Sequence, residues 1–208
     1  TGNHRTVEPG FRPTLTNSWY YPERYERIAQ LLNAPQKHNK TSMEMMQADR
    51  RDVFIAKVQQ RWSHPQHWAA ITQALEKLDD DQQENAGFIL NRMMEFNGEM
   101  RPTSASAAIW GALEYSLTRA IFWDELGDDE SEQDSQLWQV FMSVNGRAYS
   151  AYQDHLLGRN GLTQGQPAPF WDDVRTDDIE ESEAEIIVRA AADAYQHLSE
   201  RLGDEPQA

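Results

Sequence analysis

Few side chains in this sequence have types and spacing suited to chemistry, and each also has a plain structural reading. Thr1 carries a hydroxyl and, with a free amine, a base on the same residue, which is the pairing an N-terminal nucleophile needs. His64 and His67 stand at helix-like spacing in His64-Pro65-Gln66-His67. Pro65 disturbs that geometry and no carboxylate lies at ligand spacing, so a surface turn is expected there. The acidic runs at 79–81, 128–130 and 177–181 lack the turn Gly and distal Glu of a calcium loop. Solvated loops or helix N-terminal charge are the expectation for them. Gly158, Gly161 and Gly165 follow no strand and form no phosphate loop, and Met43, Met45 and Met46 are expected to pack in the core. Arg24 and Arg27 are one helical turn apart. They lie off the centre of an apolar stripe, Tyr21, Tyr25, Ile28 and Leu32, that should face the core, so at least one of them can meet something other than solvent.

The elements that would position these residues are helices. Pro22 opens the first, about 22–33, because its missing N–H would be unpaired in a first turn, and Ala34-Pro35 stops it. Thr41-Ser42-Met43-Glu44 has the form of a capping box, and a second helix should run from there to about Trp62, with Phe54, Val58 and Trp62 inward. His64-Pro65 breaks the chain before a third helix over about 66–78, and Asp79–Asp81 separates that from a fourth over about 82–96. Asn97-Gly98 closes the fourth, since Gly readily takes the left-handed conformation. Thr103 or Ser104 caps a fifth helix carrying Ile109, Leu113, Leu117 and Ile121. A sixth, about 133–157, presents Leu137, Phe141, Val144 and Ala148, and Asn145-Gly146 is placed to bend it. After a Gly- and Pro-rich loop at 158–169, a last helix over about 180–202 buries Ile187, Ala191, Ala194, Leu198 and Leu202. No repeat and no sustained period-two alternation appears. The expected fold is all-α, an irregular domain of about six to seven helices over 21–208 behind a short non-helical arm at 1–20.

Composition narrows the classes of function. With 208 residues, 39% hydrophobic and seven each of Trp, Tyr and Phe, the chain has the mass for one real core. Its 34 acidic against 19 basic residues give a net charge of −15, which repels phosphate backbones and anionic lipid. Neither nucleic acid nor a membrane surface is an expected partner. No apolar run approaches the roughly 18 residues of a bilayer span, and Thr1 to Gly10 does not resemble a signal peptide. The chain has no Cys, which excludes disulfides, thiolate metal sites and a Cys nucleophile but leaves the compartment open.

Several segments occur in a telling order. Asn3-His4-Arg5 is followed by Trp19 and then by Arg24-Tyr25-Glu26-Arg27-Ile28-Ala29-Gln30-Leu31-Leu32. Met46-Gln47-Ala48-Asp49, Phe96-Asn97-Gly98-Glu99-Met100, Phe170-Trp171-Asp172-Asp173 and Leu198-Ser199-Glu200-Arg201-Leu202-Gly203 come after them. This layout resembles the penicillin acylase family of N-terminal-nucleophile amidohydrolases, over nearly the whole chain. There an Asn-Asn-Arg-like segment precedes a Trp loop and an Arg-x-x-Arg-Ile-x-x-Leu-Leu helix. The family's Trp-Gly-x-x-His continuation is absent here, so the chain looks like an internal piece of the larger (beta) subunit.

The resemblance implies an enzyme that hydrolyses the amide between an acyl chain and an amine, as in β-lactam antibiotics or acyl-homoserine lactones. In that family the nucleophile is the first residue of the larger subunit, its own α-amine is the base, and an Asn side-chain amide helps to hold the oxyanion. Asn3 matches that Asn, and Arg24 matches an Arg that supports the site. Thr1 then falls far downstream of the true nucleophile, and the chain alone should be inactive. The implied partners are the remainder of the parent enzyme (its small subunit and catalytic core) and a small-molecule amide substrate. No cofactor or metal is expected in this segment, although the parent enzyme can hold a structural calcium, and the implied location is periplasmic or secreted. The competing reading is a non-catalytic acidic helical interaction domain.

Overall fold

Capping decides where most helices start. The computed structural model describes residues 6–7, 11–13, 15, 22–35, 37–126, 136–143, 153, 155–158, 169–176 and 180–203. Among these, the α-helices are α1 (Glu23–Leu32), α2 (Lys40–Gln47), α3 (Val53–Trp62), α4 (Pro65–Leu75), α5 (Asp80–Glu95), α6 (Ala105–Leu126), α7 (Gln136–Ser143) and α8 (Glu183–Leu202). A short 3₁₀ turn, Pro169–Trp171, precedes α8. No strand occurs among the described residues, so the all-α expectation holds. Asp79 accepts from the Gln82 N–H at 2.9 Å to start α5. Ser182 and Glu185 form a reciprocal capping box at the start of α8. The Glu185 carboxyl is pushed down to about 2, first by the ammonium of Lys77 and then by the backbone and hydroxyl of Ser182.

The second predicted helix is in fact two. α2 ends at Gln47 and α3 starts at Val53, because the backbone between them is engaged elsewhere. The Asp52 N–H donates to the Gly98 carbonyl at 2.8 Å and the Met100 N–H donates to the Arg50 carbonyl at 3.1 Å. Arg51 and Glu99 thereby form an isolated antiparallel bridge. Asp52 then caps α3 by accepting from the Phe54 N–H. The box at the start of α2 is also two residues earlier than predicted: Asn39 and Ser42, not Thr41 and Glu44, satisfy each other's N–H groups. Gly98 is not a helix cap, since α5 ends at Glu95 and Phe96 is already extended. With φ at +78° it turns the chain at the crossing, and a Cβ there would lie 2.6 Å from the Asp52 carbonyl oxygen.

The core forms around α8, which packs on α4, α5 and α6. Its buried face is largely small, with Ala190, Ala191 and Ala194 among Ile186, Ile187 and Val188. Ile89, Leu90 and Met93 of α5 and Leu113, Leu117 and Ile121 of α6 complete it. Each of these large side chains contributes about 1.5–3 kcal/mol through removal from water. Gln59 of α3 donates to the Met93 carbonyl at 2.8 Å and the Phe96 carbonyl at 2.7 Å, supplying partners for groups that the end of α5 leaves open.

Some predicted core positions face outward. Leu202, in the last turn of α8, is exposed, and Leu137 is exposed because α7 turns Trp138 inward instead, edge-on to Trp123. Met43 and Met45 are exposed as well. Val144, Ala148 and the Asn145-Gly146 pair lie outside the described residues.

The two glycines at 98 and 111 predict opposite outcomes in thermal or urea unfolding. Gly98→Ala should destabilise the chain, since a non-Gly residue at positive φ costs of order 1–3 kcal/mol even before the carbonyl clash is relieved. A Cβ at Gly111, within α6, meets nothing within 4 Å, so Gly111→Ala should stabilise by roughly 0.5–1 kcal/mol.

Candidate functional site

Asn3 lies outside the described residues, so α1 is the element through which the candidate site can be read. Pro22 occupies the position before the first helical residue, and Glu23 and Glu26 in the first turn suit the positive end of the helix. Glu23, Glu26 and Arg27 fall on one face, and all three are engaged by charged partners. Arg27 makes a two-pronged bond to Asp49, Nε to Oδ1 at 2.8 Å and Nη2 to Oδ2 at 2.6 Å. Lys57 of α3 reaches Glu23 at 2.7 Å and Glu26 at 2.6 Å. The Asp49 carboxyl is held below the usual carboxylate range, chiefly by the bond from Arg27. Of the two arginines, Arg27 is the one that faces inward. Arg24 is exposed on the first turn of α1, about 100° around the helix from Glu23.

The apolar stripe on this helix does not face the core as its periodicity predicts. Tyr25 is 42% exposed, Ile28 39% and Leu32 47%, and Tyr21 lies outside the described residues. The reason is the ionic face: burying Glu23 and clamping Arg27 turns the opposite side of α1 outward.

Three of the family-like sequence segments prove to be structural junctions. Asp49 belongs to Met46–Asp49 and holds α1 through Arg27. Phe96–Met100 makes the crossing with Arg50–Asp52. Phe170–Asp173 wraps Glu181: the Asp173 N–H donates to its carboxylate at 3.1 Å, and Asp172 accepts from its N–H at 3.1 Å. Thr176 and Arg189 add bonds at 3.0 Å. Its place in an acidic run predicts a solvated Glu181, yet its side chain is only 1% exposed. Burial raises that carboxyl, but the donors from Asp173, Thr176 and Arg189 outweigh it and hold it low.

The other candidates read plainly. Asp79–Asp81 cap and charge the start of α5 as expected, and residues 128–130 and 177–179 lie outside the described residues. His64 and His67 sit edge to face, 6.0 Å between ring centroids, and burial followed by the nearby Arg61 pushes His67 down. Among the described residues no three His, Asp or Glu side chains gather to hold a metal ion, so none of them fits a calcium cage. Glu125, at the end of α6, is pushed up to about 8 by burial and then by Asp124. Asp124 accepts from the Val174 N–H and ties α6 to the turn at 169–176. An open groove of about 390 Å³ between α5 and α8 is lined by Gln82, Asn85, Tyr195, Gln196 and Ser199 and holds no carboxylate or imidazole. The pairing of Arg27 with Asp49, and of Lys57 with two glutamates, carries no periodic signal in the sequence.

Asp49→Asn keeps the size of the side chain and removes its charge. It should destabilise by about 1 kcal/mol near neutral pH, a figure discounted for the water that reaches both groups. Because the folded value is depressed, the stabilisation is complete above the unfolded value of about 4 and is lost as pH falls through the folded one. The difference between the two proteins in chemical unfolding should therefore shrink below about pH 4; a constant difference would mean that the charge is not its source.

The penicillin amidase model matches residues 1–208, the whole chain. The chain is 41% identical over 208 residues to the acyl-homoserine lactone acylase QuiP of Pseudomonas aeruginosa, covering 100% of this chain and 23% of that protein. It is 36% identical over 208 residues to the acyl-homoserine lactone acylase QuiP of Pseudomonas fluorescens strain Pf0-1, covering 100% of this chain and 24% of that protein. For the same-named acylase of Pseudomonas syringae pv. tomato the figure is 35% over 206 residues, 99% of this chain and 24% of that protein. No solved structure matches. The chain thus spans about a quarter of the length of the curated relatives it matches. A family model and relatives that cover the sequence end to end leave one assignment: this chain belongs to the penicillin amidase family.

Proposed function

We propose that this chain is the helical segment of an N-terminal-nucleophile acylase that cleaves acyl-homoserine lactones or closely related amides. The observation that carries the reading is the end-to-end similarity to acyl-homoserine lactone acylases. In the reaction, a hydroxyl outside this segment attacks the amide carbonyl and gives its proton to the α-amine of the same residue. The carbonyl oxygen becomes an oxyanion, and the Asn3 amide donates to it without bringing a charge. Collapse expels the amine with a proton and leaves an acyl ester, which water hydrolyses to the free acid. Arg24, on the first turn of α1, supports the neighbourhood of Asn3 with a planar fork of donors. The proposal includes a periplasmic or secreted location. It also includes dependence on the rest of the parent enzyme, its small subunit and catalytic core, where any structural calcium would find its ligands.

Two results test this. Purified 1–208 should not release acid from an acyl-homoserine lactone, because an oxyanion donor without a nucleophile supplies only part of the catalysis; turnover abolished by Thr1→Ala would overturn the reading. In the processed full-length enzyme, Asn3→Ala should lower kcat by about 10²–10³ with a smaller change in KM. Arg24→Lys should impair turnover too, since it keeps the charge and loses the fork. These enzymes mature by self-cleavage with the same nucleophile, so kinetics must be run on protein shown to be cleaved. Full activity in cleaved Asn3→Ala protein would exclude Asn3 as the donor.

A further inference from the structure

An amphipathic helix packed on a globular body ordinarily turns its apolar stripe inward and its charges outward. α1 does the reverse. At 3.6 residues per turn, Glu23, Glu26 and Arg27 centre on one direction, and Tyr25, Ile28 and Leu32 centre almost diametrically opposite. The first set is bound to Lys57 and Asp49, and the second lies at the surface. Arg24 falls between them, at the edge of the stripe. The spacing of Tyr25, Ile28 and Leu32 is i, i+3, i+7, the anchor pattern of a helix laid in an apolar groove. Met43 and Met45 of α2, next in sequence, are exposed too.

We infer that the Tyr25–Ile28–Leu32 face of α1 is a docking surface, and that its occupant is an apolar groove on the remaining polypeptide of the full-length acylase. This rests on the acylase reading and adds to it the face by which the segment is seated. Two observations select that occupant. The relatives devote only 23% of their length to the part matched here, so the larger remainder is available to cover the helix. A second copy is disfavoured by charge, because two chains of net −15 would be brought together across this face.

This chain has no Cys of its own, so a thiol placed in it gives a distinct labelled peptide in the full-length protein. A single thiol is introduced by Ile28→Cys or, as an exposed control on α7, by Val140→Cys. Each protein is labelled with a maleimide and the modified peptides are quantified by mass spectrometry. The Ile28→Cys thiol is expected to react at least tenfold more slowly than the Val140→Cys thiol, with protection unchanged on dilution to nanomolar protein. Equal rates would overturn the proposal, as would protection lost on dilution together with a fall from dimer to monomer mass. Hydrogen exchange of the unsubstituted protein adds a check without mutation: amides in α1 as fast as those of a free helix would refute docking. Neither readout uses turnover, so failure of docking and failure of the acylase assignment are seen separately, the latter as no acid released from acyl-homoserine lactone.

Discussion

The body of the molecule depends on how closely α8 can approach its neighbours. Ala190, Ala191 and Ala194 present almost no side chain along one face, so α5 and α6 can come close and pack their Ile, Leu and Met around it. Larger residues there would hold the helices apart and leave voids or strain, both of which cores tolerate poorly. α4 joins on the same helix, and the ion pairs Arg61–Glu183 and Lys77–Glu185 fasten its first turns to α3 and to the end of α4. α8 comes last in sequence among these elements, so its contacts with them are long-range.

How much of this is legible in the sequence follows from period. Ile109, Leu113, Leu117 and Ile121 recur every four residues and are buried as that recurrence predicts, as are Ile187, Ala191, Ala194 and Leu198. Ser104 and Ser182 mark helix starts by the chemistry of their hydroxyls. Whatever depends on a distant partner escapes such reading. The segment 48–52 has helical composition, but its backbone is recruited by Gly98 and Met100 some fifty residues away, and one predicted helix becomes two. The stripe on α1 is a stripe, as its period says, but it points away from the core. Periodicity reports that a face is apolar and not what it faces.

The candidate site is legible only through resemblance. An Asn in a polar segment and an Arg on a first helical turn have no periodicity and no metal-like spacing, and the sequence alone gives them no role. The structure adds an account of why the neighbouring motifs stand where they do. Asp49, Asp52, Gly98 and Glu181 each hold a junction between elements, so these positions serve the geometry of the scaffold. In a segment proposed to reach the reaction only at its beginning, most of the distinctive sequence is spent on joints.

The inverted helix has a consequence for solution conditions. The pairs Arg27–Asp49 and Lys57 with Glu23 and Glu26 are partly open to water, and added salt weakens such pairs as the screening length shortens. Burial of Tyr25, Ile28 and Leu32 in a groove moves the other way, since salts excluded from protein surfaces strengthen apolar association. A helix gripped by charge on one side and by hydrocarbon on the other therefore loosens on one side as it tightens on the other. The placement of its first turn would vary less with ionic strength than either grip alone allows, which suits the periplasmic or secreted setting proposed for the enzyme.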